Sequence, residues 1–243
     1  MKKKHNHAAH SSYYIFTVFV LILVCLEGIG CKKFIEVGAP VTSVNGENVY
    51  TDDANAISAV TGIFTKMSNS NFTLNLSLFP ALSVDDFKLS SLDNTAYDVY
   101  NQNSLISNYG STTDLWNSTY NYIYLANAGI EGLNKSNTIT PSVKQRLQGE
   151  VYFTRAFCYF YLVNLYGNVP LALGTDYTVN IKLSRTDIQT VYQQIIADLL
   201  QAKSLLDDSY VDGSLLKSTT ERVRPNRMAV NALLSRVYLF TKN

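Results

Sequence analysis

The sequence predicts an all-α fold of helical hairpins joined by long irregular loops, and three observations carry that prediction. Apolar residues recur at spacings of three and four in five stretches; none alternates convincingly with the two-residue period of a strand ladder; and helix-starting or helix-ending residues flank the periodic stretches. The chain has 243 residues, 47% hydrophobic and 16% charged, which is a globular composition with enough length for a substantial core. A net charge of +1 with no basic stripe argues against a nucleic-acid binder, which must neutralise phosphates.

The N-terminal element is a targeting segment. Lys2, Lys3 and Lys4 precede a polar stretch to Ser12 and an apolar run from Tyr13 to Leu26. That run is shorter than the roughly 18 apolar residues a spanning helix needs, and it fits a signal-peptide core. Gly28-Ile29-Gly30-Cys31 then resembles a bacterial lipobox, with Gly28 where leucine is usual. Residues 1–30 are therefore expected to be a removed lipoprotein signal peptide, with Cys31 lipidated, residues 31–50 as a tether and 51–243 as the helical domain. Acyl chains contribute about 0.8 kcal/mol per buried CH₂, so a multiply acylated cysteine holds a domain stably at a membrane surface.

Removing residues 1–30 takes away Lys2, Lys3, Lys4, Glu27 and all three histidines, His5, His7 and His10, and turns the net charge to −1. Without histidine the mature chain cannot assemble a Ser-His-Asp or Cys-His nucleophile system, and the commonest imidazole zinc sites are lost with it. No GxxxxGK[ST] loop or GxGxxG turn is present for nucleotides. Asp52-Asp53, Asp85-Asp86 and Asp207-Asp208 supply acids, but adjacent carboxylates usually point apart, which is poor evidence for paired acid-base chemistry. No enzyme activity, cofactor or metal is expected. Cys158 lies inside a helical pattern, so no intrachain disulfide is expected.

Within the domain, the first helix begins near Thr51, with Asp52 and Asp53 at its positive end and Ile57, Val60, Phe64 and Met67 on one face. From Asn69 to Ser111 the periodicity lapses. This stretch reads as long loops with at most short elements, ordered by Phe72, Phe79, Phe87, Tyr97 and Tyr100. A second helix opens at Thr113-Asp114 and carries Trp116, Tyr120, Ile123, Asn127 and Ile130. The third starts at Thr140-Pro141 and runs through Leu147, Val151, Thr154, Cys158, Tyr161 and Leu165 to Gly167. Pro170 enforces an extended segment. Ile188, Val191, Ile195, Leu199, Ala202 and Leu206 mark the fourth helix. After a polar connector, the fifth runs from about Asn226 with Ala229, Ala232, Leu233 and Leu239. Gly149, Ala156, Ala202, Ala229 and Ala232 are placed for close helix contacts, the packing style of tetratricopeptide-like hairpins. Trp116 and the aromatics of the third helix read as core.

These residues resemble the SusD/RagB-like outer-membrane lipoproteins of Bacteroidetes. The resemblance rests on CKKFIEVGAP from Cys31, on Trp116, Tyr120, Ile123 and Asn127, and on GEVYFTRAFCYFYLVNLYGNVPL from Gly149 to Leu171. It continues through Arg185, Tyr192, Ile195, Asp198, Leu199, Ala202, Arg224 and ALLSRVYL from Ala232. It implies a glycan-binding lipoprotein of the outer membrane, facing the cell surface, that captures oligosaccharides for a SusC-like TonB-dependent transporter. A lipid-anchored protein-interaction scaffold, or a remnant with an incomplete sugar site, is the alternative.

The motifs themselves read as scaffold, with Arg155 and Glu150 expected in contact. Sugar capture needs aromatic faces for pyranose rings and amides or carboxylates for hydroxyls. In the family such groups come partly from loops before the Trp-bearing helix, which selects Asp85, Asp86, Tyr97, Tyr100, Asn101 and Asn103 here. Family members continue past the position of Asn243, so the chain is expected to be the N-terminal portion of a longer protein, leaving the face with Leu233 and Leu239 uncovered.

Overall fold

Asp52 accepts the Asn55 backbone N–H at 2.9 Å and caps helix α1 (Asp53–Asn69), as its position before a periodic run implies. Ala56, Val60 and Ile63 form the buried face of α1, with Ile57, Phe64 and Met67 packed at its margin. The computed structural model describes residues 49–90, 97–107, 110–215 and 217–241, together with Val18. Cys31 and almost all of the targeting segment and tether lie outside the described residues.

The stretch expected to be loops contains a three-turn helix, α2 (Phe72–Ser83), and a single turn, α3 (Asp98–Asn101). Phe72, Leu76, Phe79 and Leu82 are buried along α2. Burial of these four outweighs the weak helix propensity of its Asn, Ser and Thr residues and the hydrogen bond lost at Pro80 inside the helix.

Helix α4 (Gly110–Lys135) begins three residues before the expected start. Helix α5 (Pro141–Tyr166) has its proline in the first turn and stops at Gly167, whose φ of 69° and ψ of −129° need glycine. Val169–Pro170 (β1) then pairs antiparallel with Arg185–Thr186 (β2), a two-residue ribbon, with the single turn α6 (Tyr177–Asn180) between them. Asp187 accepts the Thr190 N–H at 2.9 Å and caps α7 (Ile188–Leu205). The last helix is α8 (Arg227–Thr241), preceded by Asn226, whose Oδ1 accepts the Ala229 N–H.

The central element is α5, which packs most extensively on α7 and next on α4, while α1 rests on α4 and α5, and α8 on α7. A Cβ on Gly149 would sit 2.6 Å from Leu206 Cγ, and Ala156 and Ala202 are fully buried, so these three small residues do permit close approach. Ala229 and Ala232 do not sit at such contacts: the first is half-buried and the second exposed. Leu233 belongs to the core, correcting its expected exposure, whereas Leu239 and Phe240 are exposed. Tyr50 lies across Gly132, where a Cβ would be 2.0 Å from its ring; burial pushes the Tyr50 hydroxyl up to about 12.

Buried charges tie the helices together, in a different pairing from the one expected. Arg155 does not meet Glu150. Its Nε and Nη2 donate to the two Asp198 oxygens on α7 at 2.8 and 2.7 Å. Glu150 instead accepts from Arg224 at 2.9 and 2.6 Å and from Arg146 at 3.4 Å. Spacing explains the outcome: Glu150 and Arg155 are five apart and face different neighbours on a 3.6-residue helix. Arg155 also donates to Asn127 Oδ1, which leaves the Asn127 amide to hold the carbonyls of Ala172 and Gly174.

Candidate functional site

Helix α2 and the turn α3 form the platform that carries the expected sugar-contacting residues. Phe79 stacks on Tyr100, with ring centroids 4.0 Å apart and planes 9° from parallel, and Tyr97 leans on the same ring at 5.8 Å. Tyr100 is 7% exposed, so its ring secures α3 to α2. Tyr97 is half-buried. Phe72 meets Tyr122 edge-on at 4.8 Å, which fixes the start of α2 to α4.

Two backbone turns project from this platform. Asp85, just past α2, has φ 61°, and its N–H reaches the Leu82 carbonyl; Phe87 N–H reaches back to Ala81. Asn103, just past α3, has φ 51°, and its N–H reaches the Tyr100 carbonyl, while Ser104 N–H reaches Val99. Both residues therefore end their helices in the left-handed conformation that Asp and Asn tolerate better than other non-glycine residues. Phe79 sits one turn before the end of α2, and Tyr100, on which it stacks, one residue before the end of α3.

At these turns Asp85, Asp86 and Asn103 are exposed and Asn101 is half-buried. The surface offers carboxylate and amide groups, which accept from and donate to hydroxyls. Phe87, which the sequence reading counts among the aromatics that order this stretch and not among the sugar-contacting residues, is 54% exposed between Asp86 and Lys88. Its signal was an aromatic among charged residues outside the helical spacing of Phe72, Leu76, Phe79 and Leu82.

Trp116 is half-buried against Tyr166, edge-on at 5.0 Å, with the Arg185 guanidinium 5.2 Å over its ring. Among the described residues no three His, Cys, Asp or Glu side chains gather to hold a metal, and no helix is long and apolar enough to cross a membrane.

A family model for SusD-like proteins, described as "Starch-binding associating with outer membrane", matches residues 34–239. Two SusD-like proteins of Formosa agariphila are 24% and 28% identical, over 94% and 91% of this chain. The chain spans less than half of each, 44% and 42%. Among solved structures, a SusD-like protein of Bacteroides fragilis superposes with a TM-score of 0.67 at 26% identity, covering 84% of this chain and 38% of that one. A laminarin-binding SusD-like protein does so at 0.63 and 26%, covering 78% and 40%.

Proposed function

The chain belongs to the SusD-like family, and from that membership we propose that it is a glycan-binding lipoprotein that captures oligosaccharides for a SusC-like TonB-dependent transporter. The observation that carries this reading is the family match across residues 34–239, which includes the whole α2–α3 platform. In this reading Asp85, Asp86, Asn101 and Asn103 bond sugar hydroxyls, Phe87 supplies an apolar face for a pyranose ring, and Tyr97 borders it. Tyr100 acts underneath, holding the two turns in register. The role is capture without turnover. Lipidated Cys31 holds the domain at the outer membrane, facing outward.

Affinity electrophoresis through gels containing soluble starch or laminarin tests the binding role. The protein is expected to be retarded by at least one of the two, and an Asp86→Ala, Phe87→Ala double variant to run freely. Retardation unchanged in that variant overturns the site; no retardation by either glycan counts against starch-like or laminarin-like capture. For the anchor, Cys31→Ser is expected to move the protein from the membrane to the soluble fraction, and retention in the membrane contradicts lipidation.

A further inference from the structure

A cleft of about 390 Å³ opens between α1, α5 and the start of α8, within the size range of small-molecule sites, and no residue of α2 or α3 lines it. Its walls are Phe64 and Met67 from α1, Phe153 and Phe157 from α5, and Tyr210 and Met228 opposite. Along α5, Phe153, Phe157 and Tyr161 recur at every fourth position with ring centroids 6.3 and 4.9 Å apart, forming a half-buried ladder of rings that continues past the cleft.

An exposed arginine stands at each end of this ladder. The Arg222 guanidinium lies 5.8 Å over the Tyr210 ring, and Arg236 lies 5.5 Å over Phe160 and 5.9 Å over Tyr161. Neither forms an ion pair among the described residues, in contrast to buried Arg224, whose guanidinium is spent on Glu150 and Thr61. No carboxylate lines the cleft. Glu150 is held by Arg224 and Arg146; α8 carries no acidic residue; and Glu221, exposed next to Arg222 in sequence, makes no ion pair among the described residues.

Of the three neutral polar side chains that line the cleft, Thr154, Asn226 and Tyr210, the first two are already committed. Asn226 donates to the Asp208 carbonyl and accepts from Ala229 N–H, and the Thr154 hydroxyl donates to the Glu150 carbonyl. A neutral sugar would find few partners for its hydroxyls there. An anionic one would find apolar ring faces and two guanidinium groups suited to bidentate carboxylate contacts.

We infer that this cleft and the ladder beyond it bind an anionic oligosaccharide, with uronic acid rings lying on Phe153, Phe157 and Tyr161 and carboxylates on Arg222 and Arg236. The inference rests on the glycan-binding reading and adds a substrate class and a second subsite to it.

Isothermal titration calorimetry with a galacturonic acid tetrasaccharide, and in parallel with maltotetraose and laminaritetraose, tests it. Tetragalacturonate is expected to bind, with at least a fivefold loss of affinity in Arg222→Gln and in Arg236→Gln and a further loss in 0.5 M salt. Both arginines are exposed, so unchanged thermal melts are expected to accompany these losses. Binding of a neutral tetrasaccharide that is lost in Asp86→Ala, with no tetragalacturonate binding, overturns the inference and leaves the glycan reading standing. Tetragalacturonate binding indifferent to both arginine variants also overturns it. A dimer in sedimentation equilibrium that Arg222→Gln dissociates assigns the cleft to a second copy instead. If no tetrasaccharide binds, the inference and the neutral-glycan reading fail together.

Discussion

Replacing Asp198 by Asn tests the scaffold at the contact between its two most closely packed helices. The Asp198 carboxylate is 2% exposed, accepts two hydrogen bonds from Arg155 and a third from Gln194, and is the only carboxylate among the described residues paired with the Arg155 guanidinium. Asp198→Asn keeps the volume but leaves that guanidinium, 6% exposed, without a counter-charge. Removing one partner of a buried ion pair costs about 3–5 kcal/mol, a large share of the roughly 5–15 kcal/mol that stabilises a typical protein. With a urea m-value of about 2 kcal/mol/M, the unfolding midpoint should fall by about 2 M, read from far-ultraviolet circular dichroism. Because Arg155 orients Asn127, whose amide holds the Ala172 and Gly174 carbonyls, hydrogen exchange should also quicken across residues 172–175. The double replacement Arg155→Met, Asp198→Leu should recover much of the loss, since two matched apolar groups leave no buried charge. A loss below about 1 kcal/mol in Asp198→Asn would refute the reasoning that this pair is desolvated and locked.

Gly132→Ala places a methyl group 2.0 Å from the Tyr50 ring and should cost about 1–3 kcal/mol, read from the urea midpoint; Gly62→Ala, mid-helix with nothing within 4 Å of the added carbon, is the control and should instead gain up to about 1 kcal/mol from helix propensity. The Asp187 carboxyl is held below the usual carboxylate range by the Thr190 hydroxyl and backbone N–H it accepts from. Its folded-state value lies below its unfolded value of about 3.9, so its contribution is present above pH 4 and lost as pH falls through the folded value. Wild type and Asp187→Ala should accordingly converge in melting temperature below that range and differ at pH 7. Burial pushes the Cys158 thiol far up, so it should resist a disulfide reagent at pH 8 until urea unfolds the chain.

The features legible in the sequence were those written locally. Asp52, Pro141 and Gly167 mark helix ends through local chemistry, and the structure places all three where that chemistry predicts. Helix α2 carried a visible spacing in Phe72, Leu76, Phe79 and Leu82, but Pro80 and the surrounding Asn and Ser residues obscured it, and only tertiary burial settles such a contest. The ion pairs were illegible for a different reason. Arg155 and Asp198 are 43 residues apart, and Glu150 and Arg224 are 74 apart, so no local pattern joins them. At the candidate site, residue type singled out Asp85 and Asn103, and the structure adds that both terminate helices in the left-handed region. The inward stack of Tyr100 and the outward exposure of Phe87 depend on how α3 meets α2, which lies beyond sequence spacing.

Hydrogen–deuterium exchange of the protein with and without maltoheptaose or laminarihexaose, at concentrations that saturate binding, tests the central claim most directly. The expected result is slowed exchange confined to residues 84–88 and 99–104, the two turns that carry Asp85, Asp86, Phe87, Asn101 and Asn103. Slowed exchange elsewhere, with both turns unchanged, would contradict the placement of the glycan site on the α2–α3 platform.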